Sequence, residues 1–248
     1  MAANTRRSAS AQQTAEQGLI ASAFTRLLQV FVFMMLTLFF SILIEWAGMA
    51  AHFWQEPGAR HSETMLGREL EYLNEDFKRS AIVEEPARFA RNFADTFYDI
   101  TFKKTGVQRA VIWLATPVPG FSDSKLRKTL HRLFDNVKEY VLAAMTVTQI
   151  FAVRLAVLIL AFPAFVLLAL LGLIDGLVQR DVRRWSGGRE SSFIYHWAKK
   201  ALYPSLILPW IIYLAMPESV HPNLIVLPFA VLFAISVMVM ASTFKKYL

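Results

Sequence analysis

Uncharged apolar runs punctuate this chain at residues 27–44, 155–174, 201–216 and 224–244, and nearly all the charge lies between them. A helix needs about 20 apolar residues to cross a bilayer core of about 30 Å, so each run predicts a membrane span. The first is read as an uncleaved anchor, because its apolar region exceeds that of a signal peptide and Glu45-Trp46 would sit beside the cut. The third is the shortest, at roughly 24 Å of helix. Trp197 and Tyr213 at interface-like positions support a full crossing, and a re-entrant hairpin is the alternative. The link 217–223 admits only an antiparallel hairpin between the last two runs.

Residues 52–140 are hydrophilic. Leu66, Leu70, Leu73 and Phe77 recur at helical spacing, as do Phe89, Phe93 and Phe97 after Pro86 in a first-turn position. Helices are therefore expected over 63–80 and 86–103. The turn-like Thr116-Pro-Val-Pro-Gly120 interrupts the pattern, and residues 104–122 are left open between a short helix, a strand and an interfacial loop. Ser122 or Ser124 can then cap a helix that shows Leu126, Leu130, Leu133, Phe134, Val137 and Val141 on one face. Nothing breaks it before the second span. A rod over 124–180 follows, straight or bent near Arg154 or Pro163.

The expected fold class is an all-α membrane protein with four transmembrane helices and an extracytoplasmic helical domain between spans 1 and 2. In order, the parts are a disordered tail (1–26), span 1 (27–51), the outer domain (52–140), a long helix containing span 2 (141–178), a basic elbow (179–200), span 3 (201–216), a short outer loop (217–223), span 4 (224–244) and a tail (245–248).

Composition agrees: hydrophobic residues make up 55% of the chain and charged ones only 18%, a balance unlike that of a soluble domain. With no cysteine, disulfides, thiolate metal sites and cysteine nucleophiles are excluded. The net charge of +7 is placed by topology. Lys plus Arg number 3 in the N-terminal tail, 6 in the elbow, 0 in the 217–223 link and 2 in the C-terminal tail. The positive-inside rule then puts both termini and the elbow in the cytoplasm. The outer domain carries 14 basic and 13 acidic groups and lies on the opposite face. A basic excess of this kind attracts anionic lipid and DNA phosphate alike; ordinary topogenic charge explains it, so direct nucleic-acid binding is not expected.

Candidate chemistry is sparse. The five histidines show no ligand spacing, so no metal, cofactor or catalytic residue is assigned. Gly187-Gly188 has no following Lys-Ser/Thr and reads as a break between helices. Glu45 ends span 1 and Arg154 begins span 2, both at the outer interface. Each either snorkels to water or joins the other in an interhelix ion pair. Asp175 lies near the inner end of span 2.

The block Gly176-Leu-Val-Gln-Arg-Asp-Val-Arg-Arg-Trp185, with Gly188-Arg-Glu-Ser191, Tyr195-His196 and Lys199-Lys200, resembles the integrating conjugative element membrane proteins. That family has no defined molecular function and is typically encoded beside a TraD-type coupling protein in type IV secretion clusters. The resemblance implies a non-enzymatic accessory or scaffold component of a conjugative DNA transfer apparatus in the bacterial inner membrane. Its partners would be membrane lipid, the coupling protein and other conjugation components. Arg180, Asp181, Arg183, Arg184, Arg189 and Glu190 are the candidate cytoplasmic contact. The alternative function is a small multi-span transporter or channel.

Overall fold

A computed structural model describes residues 2–76, 86–116, 125–186 and 192–244. The described residues form helices joined by turns, without a strand: α1 (Ala2–Ala50), α2 (Arg60–Asp76), α3 (Pro86–Tyr98) running into a π-helical turn (Asp99–Lys103), α4 (Val107–Ala115), α5 (Lys125–Trp185), α6 (Ser192–Ala215) and α7 (Pro222–Thr243). Residues 1–40 form one unit, the greater part of α1, and residues 41–248 form the other. Within the first unit the apolar side chains of Leu27, Phe31 and Phe39 are exposed.

The second unit is built on α5. Its 61 residues form one continuous helix through Pro163, where the sequence pattern predicts a rod over 124–180. α5 packs against α2, α3 and α4, and its second half, at Gly172 and Gly176, against α7. α7 also packs on α6, whereas α5 and α6 touch each other little. Gly172 faces Ala234 and Gly176 faces Met238 and Ala241, so α5 and α7 run parallel. At both glycines a Cβ would overlap a backbone carbonyl oxygen of α7. Two small residues one turn apart let the helix axes approach, the packing device used where apolar solvent supplies no hydrophobic drive.

Around the upper half of α5 the contact faces differ from those the large residues suggest. On α2 the buried stripe is Ser62, Met65, Glu69 and Leu73, with Leu66 and Leu70 on its flank. On α3 the buried residues are Pro86, Ala90 and Ala94, while Phe89, Phe93 and Phe97 are half-buried beside them. Alanines permit close helix approach; the phenylalanines cover the seam. Residues 104–116 resolve into the end of the π turn, a left-handed Gly106 (φ 80°) and α4. The turn expected at Thr116–Gly120 falls largely outside the described residues, as does Gly187-Gly188.

Among the described residues three helices, not four, are long and apolar enough to cross a membrane: residues 24–50, 133–185 and 222–243. The expected third span lies in α6, whose uncharged part starts only after Lys199-Lys200 and carries Pro204 and Pro209. The run 155–174 on α5 is also divided. Leu155, Ala156, Val157, Leu158 and Leu160 are buried by protein. The unprotected apolar surface begins at Phe162 and continues through Leu167, Leu171, Ile174 and Val178 to Val182. Hydropathy cannot separate side chains covered by neighbouring helices from those left open, because both avoid water.

The glycine contacts generate a test. Gly172→Leu or Gly176→Leu should force α5 from α7 and lower the melting temperature of the detergent-solubilised protein. Gly67→Ala on α2, where a Cβ meets nothing within 4 Å, should be neutral or stabilise by up to about 1 kcal/mol through helix propensity.

Candidate functional site

Arg154 is the largest fully buried side chain among the described residues, at 1% exposure, so its charge must be met inside the fold. Glu69, buried on the inward stripe of α2, meets it. Arg154 Nε donates to Glu69 Oε1 at 2.9 Å and Nη2 to the same oxygen at 2.7 Å. The remaining guanidinium donors turn to the chain leaving α6. Nη1 donates to Met216 O at 2.5 Å and Nη2 also to Glu218 O at 2.7 Å. Glu69 Oε2 accepts the Tyr213 hydroxyl at 2.8 Å, and the Tyr213 ring lies 5.3 Å from the guanidinium carbon. One ion pair thus ties together α2, α5 and the α6–α7 link. Ser219 Oγ donating to Met65 O at 3.0 Å, and the Tyr72 ring 5.1 Å from that of His221, extend the seam.

A second joint fastens the end of α1 within the same unit. Glu45, 2% exposed, holds His61 Nδ1 at 3.1 Å from both carboxylate oxygens. Trp54 stacks on the His61 ring at 4.1 Å and donates to Glu45 O at 3.3 Å. Trp54 also covers Gly48, where any Cβ would collide with the indole. Trp46 Nε1 donates to Tyr140 O at 2.8 Å. At the start of α2, Ala59 N donates to Glu139 Oε2 at 3.1 Å, beside the left-handed Gly58 (φ 66°).

The structure therefore does not bring Glu45 and Arg154 to each other. Each is engaged by a residue of α2, His61 and Glu69, eight positions apart on that helix. The reason is register: α2 inserts between the two charges. Sequence reasoning missed Glu69, His61 and Tyr213. For Glu69 a signal existed, since it recurs with Met65 and Leu73 at intervals of four, an acid on a buried stripe. Nothing in the sequence marks Tyr213 as its partner.

The basic elbow is only partly described. Arg183 Nη1 donates to Ser242 O at 3.0 Å, pinning the end of α5 to the end of α7. Arg180 Nε lies 4.0 Å from Asp181 Oδ1, and Arg184 is exposed, as is Trp185 at 92%. Gln179 donates to Asp175 Oδ2 at 2.9 Å one turn above. Arg189 and Glu190 lie outside the described residues.

Residues 53–245 match the family described as DtrJ-like: IncC plasmid conjugative DNA transfer protein DtrJ-like. Neither a curated protein nor a solved structure matches the chain. Every member of the Arg154 joint falls within the matched residues, which contain α2 through α7 and leave out the whole of α1.

Removing one partner of a buried ion pair strands the other charge. Glu69→Leu should therefore destabilise by about 3–5 kcal/mol, and Glu69→Leu with Arg154→Leu by less than the two singles summed. Tyr213→Phe should cost about 1.5–3 kcal/mol, the worth of a hydrogen bond to a charged group. Thermal melts of the purified variants measure all three. Glu45→Arg with Arg154→Glu should fail to rescue either single reversal, and rescue would show that the two charges pair directly.

Proposed function

The chain belongs to the DtrJ-like family of IncC plasmid conjugative DNA transfer proteins, and on that premise we propose that it is a non-enzymatic membrane scaffold of a conjugative transfer apparatus. The family match carries this reading. The geometry supports it: the buried polar groups of both joints are engaged by internal partners, an arrangement suited to holding helices in register. The same apparatus serves integrating elements as well as plasmids in this reading, acting with type IV secretion components and a TraD-type coupling protein.

In the proposed arrangement the chain crosses the bacterial inner membrane four times, with α6 as the third crossing. Its 24 residues span about 36 Å alongside the 22 of α7, about 33 Å. Tyr195 packs on Phe244, 6.1 Å between rings, which sets the two ends level. Lys199 and Lys200 lie about two turns inside the start of α6, a depth from which long basic side chains snorkel to the interface. The basic asymmetry of the loops places both termini and the elbow in the cytoplasm and α2–α4 outside it. Arg180, Asp181, Arg183, Arg184, Arg189 and Glu190 form the cytoplasmic contact, and α5 links it rigidly to the outer helices.

The absence of cysteine makes the topology directly testable. Lys104→Cys should react with a membrane-impermeant maleimide in intact spheroplasts, and Ser186→Cys only after permeabilisation. The opposite pattern would invert the arrangement, and labelling of both before permeabilisation would remove the membrane crossing by α5. In matings, Arg183→Glu with Arg184→Glu should lower DNA transfer about tenfold or more, the loss of roughly 1.4 kcal/mol of contact, while the protein still accumulates. A photo-crosslinker at residue 184 should capture the coupling protein; unchanged transfer with no such adduct would sink the contact.

A further inference from the structure

Because α7 lies between α5 and α6, the two outer helices leave a groove along its surface. This groove, about 260 Å³, is walled by Phe162, Val166, Leu170 and Leu173 of α5 and Leu206 of α6, over Phe233 of α7. It is apolar and runs along the unprotected surface, parallel to the helices. Its α5 wall is a helical stripe: Val166, Leu170 and Leu173 continue at intervals of three and four into Leu177, Arg180 and Arg184. On the opposite wall, Lys199 lies two turns from Leu206 on the same face of α6. The apolar groove therefore leads into a group of three cations at the elbow end.

One of those cations is incompletely satisfied. Arg180 Nε is shielded and has no hydrogen-bond partner among the described residues, on a side chain that is 31% exposed and so open to an incoming ligand. The Asp181 carboxylate, 4.0 Å away, stands beyond hydrogen-bond range. A buried guanidinium N–H without an acceptor costs free energy that an incoming anion would recover. Trp185 and Trp197, both strongly exposed, flank this level with the amphipathic rings that favour a headgroup region.

We propose that this groove and its basic end form a binding site for an anionic phospholipid. An acyl chain lies along Val166–Leu173, and the headgroup phosphate is held by Arg180, Arg184 and Lys199. The site rests on the membrane reading above. It gives the elbow a further role, because the lipid would bridge α5 and α6, which otherwise touch little. A phosphate ion alone would use the cations without the groove, so groove and headgroup are tested separately.

The test uses the full-length chain in neutral detergent, with thermal melting and native mass spectrometry as readouts. Phosphatidylglycerol should raise the melting temperature and remain bound, whereas phosphatidylcholine of the same chains and inorganic phosphate should do neither. Arg180→Gln and Arg184→Gln should each weaken phosphatidylglycerol binding about fivefold. Leu170→Trp, which fills the groove, should weaken it without changing the melt in lipid-free detergent. Lys104→Gln, in the turn before α4, should leave it unchanged. Should the arginine variants fail to accumulate, Lys199→Gln reads the same headgroup contact. Equal binding of both phospholipids, full stabilisation by phosphate alone, or indifference to Leu170→Trp would each overturn the site. Such failures would leave the maleimide topology intact, so the two readings fall separately.

Discussion

A guanidinium cannot be neutralised at any ordinary pH, so placing Arg154 at the centre of the bundle obliges the fold to close around it. Four of its hydrogen bonds and one ring face are supplied by two segments far apart in the chain, Glu69 on α2 and residues 213–218. Glu69 brings α2 against α5. The carbonyls of Met216 and Glu218 bring in the turn that joins α6 to α7. The arginine thereby sets where the hydrophilic helices end and where the C-terminal hairpin begins. Burial of such a pair contributes little net stability, since desolvation opposes the attraction; its effect is to specify one register among several apolar alternatives.

That register propagates along α5. In the turns just above Arg154 the helix is buried against the hydrophilic helices, with the inward stripe of α2 beside it. Below it, two glycines seat α7 in parallel. A single helix carries both environments, and its side chains change from protein-covered to open within about two turns. The scaffold reading follows naturally from such an element, because displacement at one end cannot be absorbed by a flexible link before the other. The elbow stands at the far end, where Arg183 binds the final turn of α7 and Arg180 leads into the groove beside α6.

Much of this was legible in advance, for identifiable reasons. Helices over 63–80, 86–103 and 124–180 show as periodic apolar positions, and within the described residues, which leave out 77–80 and 124, the observed elements follow them to within about five residues. The faces were less legible. Phe89, Phe93 and Phe97 drew attention by size, yet Ala90 and Ala94 make the close contact, since a helix approaches nearest where side chains are smallest. Glu45 and Arg154 were recognisable as charges needing partners. Their pairing was not, because each partner lies on a helix whose position depends on how the chain returns.

By itself the sequence determined the helical class, the apolar elements, the absence of cysteine chemistry and the conspicuous charges at 45, 154 and 180–184. Those are local properties, set by residue type and by a period of 3.6. Only the tertiary structure decided that Glu69 and Tyr213 complete the arginine's shell, that His61 and Trp54 close on Glu45, and that residues 155–161 are covered by protein. It also decided that α6 and α5 are separated by α7, leaving the groove. These are matters of which surfaces meet across tens to more than a hundred residues, and hydropathy carries no information about the identity of the neighbour that excludes water.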